Sequence, residues 1–327
     1  MEHRVVGSSG LQVSRMGLGT MAWGRDTDWP TVKRLVNTFI DAGGNLLDTA
    51  PAYGGGVAEK MIGKLLAGGV SRHDLAIATK AGFVIRGGKR VIDTSRSAML
   101  SDLEESLRRL NTDHVDLWQV HAWGDAPIDE TLSAMDSAVS RGLARYVGVS
   151  NFVGWQTATA ATWQEALTER SKLVSAQVEY SLLARRAEVE VVGAAQHHRL
   201  GLLAWSSLGR GALTGKYRTG IPRDSRAASD HFAWFLEPYL QPRSRAVVDA
   251  VVKAAEGLGL TPSQVALLWV RDAPHVASAL VGPRTVEQLN ELLDAESKVL
   301  VAPIVSALDD VSGGPNAHRP PSGRDVP

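Results

Sequence analysis

Eight short apolar runs, separated by longer amphipathic segments, constrain the fold of this 327-residue chain more than any other feature. The runs occupy residues 16–21, 45–48, 75–79, 115–120, 145–150, 173–180, 201–206 and 276–282. Strands that alternate with helices are typical of a parallel β/α architecture, and eight parallel strands suffice to close a (β/α)8 barrel. Polar residues follow runs throughout the set, which favours the barrel over a doubly wound open sheet.

Amphipathic stretches between the runs predict helices, and capping residues mark several of their ends. Thr94 or Ser95 opens one helix, and Thr261-Pro262 restarts the longest stretch, which therefore predicts two helices. Before the first run, two short apolar pieces around a Gly/Ser turn predict an N-terminal β-hairpin. The predicted helices cover residues 29–42, 57–67, 95–110, 128–141, 155–170, 187–198, 243–272 and 285–295.

The barrel accounts for a single domain over residues 1–311. Residues 312–327 (SGGPNAHRPPSGRDVP) have the composition of a disordered segment and predict a tail without function. The longest irregular stretch, 207–242, is rich in Gly, Pro, Arg and aromatic residues. A loop of this length in a compact domain is typical of a lid or a binding loop, here at the C-terminal face of the barrel.

Composition excludes several classes of function. The 35 basic and 35 acidic residues cancel, so the chain has no electrostatic footprint for nucleic acid or an anionic membrane. The absence of cysteine excludes disulfides, thiolate nucleophiles and Cys-ligated metals, and the nine histidines are scattered rather than spaced as metal ligands. Neither a signal-like apolar start nor a span of about 18 apolar residues is present, so we expect a soluble, cytoplasmic protein.

Four polar side chains fall at or just beyond the ends of three successive runs: Asp48, Tyr53, Lys80 and His121. Barrel enzymes keep their catalytic residues at these C-terminal strand ends. A phenol donates its proton poorly at neutral pH unless the phenolate is stabilised. Lys80 could stabilise it, Asp48 could hold the ammonium, and His121 could orient a substrate oxygen. Each residue alone is more often structural or solvated, but the four in order are a specific signal.

In these motifs, and over roughly residues 5–300, the chain resembles the aldo-keto reductase family. The resemblance implies that Asp48, Tyr53, Lys80 and His121 form the family's catalytic tetrad. It further implies reduction of an aldehyde or ketone, a small-molecule carbonyl substrate, with NADPH as cofactor. Hydride would pass from the nicotinamide to the carbonyl carbon, and Tyr53, its pKa lowered by Lys80, would protonate the oxygen.

The resemblance also assigns a cofactor site. The similar segments are RYVGVSN and AQVEYSLL for the carboxamide, WSSLGRGALTGK for the pyrophosphate and ALVGPRTVEQL for the adenosine end. The residues implied are Ser150, Asn151, Gln177, Trp205, Ser206, Leu208, Gly209, Gly211, Gly282, Arg284 and Gln288. The planar fork of Arg284 suits a 2′-phosphate, so NADPH is expected over NADH. Two positions depart from the family: Ser207 stands where proline is common, and Leu292 stands where asparagine often faces adenine.

Tryptophans near the strand ends predict the wall of a substrate pocket. Trp23 and Trp123 lie on loops after strands, two residues beyond Met21 and His121, and Trp234 lies on the long loop. The sequence Gly17–Ala22 matches the G-x-G-x-x-A dinucleotide pattern, but it lies inside the first predicted strand and opens no helix. A Rossmann site is therefore not expected there.

Two other functions fit parts of the same pattern. Some relatives of the family serve as cofactor-sensing subunits of membrane channels, so an NADPH-binding regulatory subunit with little turnover is the alternative to an enzyme. A barrel isomerase or lyase that forms a Schiff base on Lys80 is a more distant one. The complete tetrad favours the reductase.

Overall fold

The computed structural model describes residues 1–86, 89–223, 225–229 and 233–313. The described strands are β1 (His3–Val5), β2 (Gln12–Ser14), β3 (Met16–Gly19), β4 (Leu46–Asp48), β5 (Ala76–Ala81), β6 (Phe83–Arg86), β7 (Lys89–Ile92), β8 (Val115–Val120), β9 (Ala144–Ser150), β10 (Leu173–Glu179), β11 (Gly201–Trp205) and β12 (Val276–Val281). The described helices are α1 (Trp29–Asp41), α2 (Val57–Ala67), α3 (Arg96–Leu110), α4 (Ile128–Ser140), α5 (Gly154–Glu165), α6 (Val191–His197), α7 (Ala233–Leu236), α8 (Pro242–Leu258), α9 (Pro262–Arg271), α10 (Val286–Leu293) and α11 (Ala302–Ser312).

Eight of these strands form a closed parallel barrel in the order β3, β4, β5, β8, β9, β10, β11 and β12. Each of these strands pairs with the next barrel strand along the chain, and β12 returns to β3 with Leu280 opposite Gly17. A side chain on Gly17 would collide with Leu46 and Leu280, so this glycine lets the barrel interior close. The predicted (β/α)8, or TIM-barrel, fold is confirmed.

Two hydrophobic layers support the barrel. One lies inside it and includes Leu46, Leu117 and Leu203; Val6 and Leu11 of the N-terminal hairpin close it from below. The hairpin is antiparallel, as predicted. The other layer lies between the strands and the surrounding helices. Because the hairpin covers the base of the barrel, the open end lies at the C-terminal ends of the strands, where barrel enzymes have their active sites.

The helix ends agree with the capping signals. Ser95 accepts a hydrogen bond from the Ala98 backbone N–H and so caps α3. Thr261 forms a capping box with Gln264 at the start of α9, which separates α8 from α9 as the sequence predicts. Among the described helices, none has both the length and the apolarity needed to cross a bilayer.

Several elements differ from the prediction. The antiparallel hairpin of β6 and β7 follows β5 and was not anticipated. Helix α5 ends at Glu165 rather than near 170, and α6 begins at Val191 after a short 3-10 turn. The stretch 207–242 contains α7 and several 3-10 turns in place of continuous loop.

Helix α11 was also unexpected, and it includes Ser312, with which the predicted tail begins. Tertiary contacts order this helix. The Asp309 carboxylate accepts hydrogen bonds from Arg185 (2.8 Å) and from the Trp269 indole (3.1 Å), and the Ser312 hydroxyl accepts another from Arg185 (2.7 Å). Residues 314–327 of the predicted tail lie outside the described residues.

Candidate active site

The barrel topology brings the four predicted side chains to one rim. Asp48 is the last residue of β4, Lys80 lies near the end of β5, and His121 follows β8 directly. Tyr53 begins a 3-10 turn that leads into α2. Lys80 lies inside its strand rather than beyond it, because the pairing of β5 with β8 continues to Ala81.

Lys80 and Asp48 form a buried ion pair. The Lys80 ammonium donates to both Asp48 carboxylate oxygens, at 2.9 and 2.8 Å, and to the Thr49 carbonyl oxygen at 2.9 Å. The two side chains are only 1% and 4% exposed. Burial alone would lower the pKa of Lys80, but the Asp48 carboxylate and the Tyr53 hydroxyl outweigh it, and the pKa is raised. The lysine is therefore a permanent, desolvated cation at neutral pH.

Tyr53 and His121 face each other next to this cation. The Lys80 nitrogen lies 5.2 Å from the centroid of the Tyr53 ring. The Tyr53 and His121 rings meet edge to face with centroids 6.2 Å apart. Phe83, from the unpredicted hairpin, packs on the other side of His121 at 4.3 Å. The phenol thus has a cation on one side and an imidazole on another, an arrangement suited to proton transfer.

Residues of three further strands are hydrogen-bonded to this group. Gln177 on β10 donates from its amide nitrogen to Asp48 at 2.7 Å. Asn151, which follows β9, donates to the His121 carbonyl oxygen at 2.9 Å and accepts from the Trp205 indole at 3.1 Å. Asn151 has a φ of 58°, a left-handed conformation that is uncommon outside glycine and concentrates at functional sites.

A cleft of about 850 Å³ opens above these residues and extends toward the loops that follow β11 and β12. Of the predicted cofactor residues, those that line it are Asn151, Gln177, Trp205, Ser206, Leu208, Gly211, Gly282, Arg284 and Gln288. Ser150 and Gly209 lie behind this surface. The Ser150 hydroxyl accepts from Asn151 at 3.1 Å, and Gly209 is buried against Leu183 and Leu213.

The aromatic wall differs from the predicted one. Trp23 is 1% exposed and belongs to the main hydrophobic core, because its chain turns back through a hydrogen bond to the Thr20 carbonyl oxygen. Trp123 packs on Phe152 and Trp155, with ring centroids 5.2 and 5.0 Å away, and lines a separate small cavity. Neither tryptophan is among the described residues that line the large cleft.

The aromatic side chains that do line the cleft are Tyr53, Phe83, Trp205, Trp234 and Phe235. Trp234, predicted from the long loop, is 68% exposed at the rim. The sequence carries a signal for Phe83. It lies three residues after Lys80 and begins a short segment that ends at two adjacent glycines, a pattern typical of a strand followed by a turn.

Arg210 anchors the loop segment that carries Trp234 and Phe235. Its guanidinium makes two hydrogen bonds to the Glu179 carboxylate, both at 2.8 Å, and it also donates to the Phe235 carbonyl oxygen. The same group lies over the Phe235 ring at 3.6 Å and the Tyr239 ring at 4.9 Å. Burial and the Glu179 carboxylate raise the pKa of Tyr239. Nothing in the sequence pattern around Arg210 marks this role.

The loops that follow β11 and β12 bring positive charge to the cleft. Lys216 and Arg284 both line it, together with Glu291 and Leu292. The Arg284 backbone N–H donates to the Gln288 side chain at 2.9 Å, which ties the start of α10 to the preceding turn. The sequence signal for Lys216 is its position as the last residue of WSSLGRGALTGK, the predicted pyrophosphate segment. Two cations from these loops in the lining of one cleft suit a ligand with several phosphates.

Comparison with known proteins places this chain in a family. The sequence profile of the aldo/keto reductase family matches residues 15–312. The chain belongs to the aldo/keto reductase family. Members of this family share the oxidation–reduction of carbonyl compounds and generally use NAD(P)H.

Individual relatives match over almost the whole chain. An uncharacterized oxidoreductase, YrpG of Bacillus subtilis, is 36% identical, with 98% of each chain covered. The aldo-keto reductase YhdN of the same organism is 30% identical over the full length of both chains. A probable voltage-gated potassium channel subunit beta of Arabidopsis thaliana is 34% identical, covering 93% of this chain and 94% of its own. The chain is thus similar both to oxidoreductases and to a protein named as a channel subunit.

Proposed function

We propose that this protein reduces aldehydes or ketones to alcohols with NADPH, and that Tyr53 donates the proton to the carbonyl oxygen. The observation that carries the proposal is the buried Lys80–Asp48 pair, whose ammonium faces the Tyr53 phenol at the floor of a cleft large enough for a dinucleotide and a small substrate. Family membership supports the reaction class.

The residues that line the cleft fit NADPH. Asn151 and Gln177 offer amide groups near Tyr53 for the carboxamide, Trp205 offers a flat apolar surface, and Lys216 and Arg284 offer cations for phosphates. When bound, NADPH supplies the hydride for the carbonyl carbon. The left-handed glycine Gly211, with a φ of 98°, permits close approach to the backbone of its loop.

The chain's own residues move the proton. The Tyr53 hydroxyl gives its proton to the carbonyl oxygen, and the phenolate that remains faces the Lys80 ammonium, which the Asp48 carboxylate holds in place. His121, whose ring meets the Tyr53 ring edge to face, orients the substrate oxygen. General acid catalysis of this kind contributes about 10²- to 10⁴-fold, and holding the reactants at one rim contributes further.

The direct test is an absorbance assay that follows oxidation of NADPH in the presence of aromatic and aliphatic aldehydes and simple ketones. We expect turnover with at least one class of aldehyde, and faster turnover with aromatic aldehydes, because Phe83, Trp234 and Phe235 line the mouth of the cleft. Absence of turnover with every carbonyl compound, under conditions in which NADPH binds, would reject the proposal.

A substitution of Arg284 tests the choice of cofactor. Arg284→Ala is expected to weaken NADPH binding by roughly 10- to 100-fold, since a hydrogen bond to a charged group contributes about 1.5–3 kcal/mol. NADH, which lacks the 2′-phosphate, should bind the variant about as well as it binds the wild type. Dissociation constants from quenching of tryptophan fluorescence measure both effects.

Lys216→Ala is the matched control for that comparison, because a lysine beside the pyrophosphate would serve both cofactors. It should weaken NADPH and NADH by similar factors. Equal losses for the two cofactors in Arg284→Ala would remove the argument for a 2′-phosphate contact.

The alternative function is an NADPH-binding regulatory subunit with little turnover. The 34% identity to a probable potassium channel subunit beta favours it. The two functions differ in one measurable respect: a regulatory subunit binds NADPH tightly but oxidises it slowly with every carbonyl compound offered. Under either function NADPH binds in the same cleft. The location of the protein in the cytoplasm remains a prediction.

A further inference from the structure

The turn that carries Tyr53 contains three successive glycines in the left-handed conformation. Gly54, Gly55 and Gly56 have φ values of 58°, 63° and 88°. Glycine loses more conformational freedom on folding than any other residue, so a run of three has little intrinsic preference for one shape. Contacts from outside the turn must therefore fix the direction of the Tyr53 side chain.

One such contact is Arg109, near the end of α3. A Cβ atom on Gly56 would lie 2.7 Å from Arg109 Cδ and 2.9 Å from its Nε, so the turn lies directly against this side chain. The guanidinium is itself held by hydrogen bonds to Glu59 (2.6 Å), Glu105 (3.1 Å) and Ser106 (3.2 Å). Arg109 therefore forms an ordered surface under the glycine turn.

Glu59 connects this surface to the strand of Lys80. Its side chain is fully buried, with one carboxylate oxygen accepting from Arg109 and the other from the Thr79 hydroxyl at 2.7 Å. Thr79 directly precedes Lys80 on β5. Charge-assisted hydrogen bonds are short and strong. The Glu59 carboxylate therefore links Arg109, which contacts the glycine turn, to the strand that carries Lys80.

We propose that Glu59 and Arg109 are positioning residues that fix the Tyr53 phenol relative to the Lys80 ammonium. The proposal rests on the proposed function, in which Tyr53 is the proton donor. Among the described residues, the lining of the cleft includes neither Glu59 nor Arg109, so both act through the glycine turn rather than by contact with substrate or cofactor. A displacement of about 1 Å at a reacting group can lower the rate about 10²-fold.

Glu59→Gln removes the charge while keeping the shape of the side chain. We expect kcat for aldehyde reduction to fall about 10- to 100-fold through misplacement of Tyr53, with the Kd for NADPH within about twofold of wild type. Asp272→Asn is the matched control. Asp272 makes two contacts of 2.8 and 2.7 Å with the buried Arg271, just before β12 begins and therefore at the opposite end of the barrel. Its kcat should stay within about twofold of wild type.

Gly56→Ala tests the same contact from the side of the turn, with both charged side chains of the ion pair kept in the sequence. The new methyl group must displace Arg109 or the turn, so we expect the same pattern of lowered kcat and retained NADPH binding. Gly69→Ala is its control, because Gly69 also has a left-handed φ, of 99°, but no heavy atom lies within 4 Å of the position of the added Cβ. The control carries the strain of alanine at positive φ, and thermal unfolding measures that strain in both variants.

The expected result is that Glu59→Gln and Gly56→Ala lower kcat well beyond their controls, while both variants remain folded and bind NADPH. Unchanged kcat in both variants, with an active wild type, would overturn the positioning role and leave the proposed function standing. A parallel loss of kcat and NADPH affinity would also overturn it, because that pattern indicates a general structural role. A wild type without carbonyl reductase activity would overturn the proposed function, and this inference with it.

Discussion

Tyr53→Phe is expected to abolish carbonyl reduction while leaving NADPH binding nearly unchanged. The substitution removes one hydroxyl group from a ring whose centroid lies 5.2 Å from the Lys80 ammonium and which meets the His121 ring edge to face. Without the hydroxyl, the chain loses the proton donor that the carbonyl oxygen needs, so we expect kcat to fall by at least about 10²- to 10⁴-fold. Single-turnover kinetics with preloaded NADPH would separate this chemical loss from any change in binding.

Tyr146→Phe is the matched control. Tyr146 lies on β9 and packs with the cluster inside the barrel, with its hydroxyl next to Gly10 of the N-terminal hairpin. The same chemical change at the base of the barrel should leave kcat within about twofold. Turnover of Tyr53→Phe near the wild-type rate would assign the proton to another group, with His121 the next candidate in the cleft.

The sequence predicted the barrel and the four rim residues because both depend on local patterns. Each barrel strand is a short apolar run, and a polar residue after such a run must reach the C-terminal rim in a parallel barrel. The register of β4 and β5 in the structure completes the arrangement. Asp48 lies opposite Ala78, and Ala78 is two residues before Lys80, so the carboxylate and the ammonium meet across neighbouring strands. The order of strands in a parallel barrel was enough to predict that Asp48 and Lys80 would lie on neighbouring strands.

The wall of the cleft could not be predicted in the same way, because it depends on how loops return to the barrel. Trp23 and Trp123 lie at the spacing of rim residues, yet their rings turn into packed layers. Phe83 reaches His121 only because β6 and β7 form a hairpin. Glu59 shows the same limit, since its partners come from Thr79 and Arg109, 20 and 50 residues away.

Lys80→Met is expected to cost about 3–5 kcal/mol of the free energy of unfolding, because it leaves the Asp48 carboxylate charged, 4% exposed and without its cation. The Gln177 amide still donates to Asp48, but a neutral donor replaces only part of the ion pair. Activity should fall as in Tyr53→Phe, since the phenolate loses its stabilising charge. Denaturant unfolding and kcat, measured on the same preparations, report the two effects.

The double variant Asp48→Asn, Lys80→Met separates stability from catalysis. It removes both charges, so most of the lost stability should return, whereas activity should stay as low as in Lys80→Met. A Lys80→Met protein as stable as wild type would mean that Asp48 is not held as a buried anion.

The pH dependence of these variants has a definite sign. The fold raises the pKa of Lys80 above its ordinary value of 10.5, so the ion pair contributes its full stability below that pH and loses it as pH rises through the folded-state pKa. As pH rises from neutral, the stability gap between wild type and Lys80→Met should therefore not narrow until strong alkali. A gap that closed as pH rose from 7 to about 9 would show that the lysine is not the permanent cation on which the Tyr53 mechanism depends.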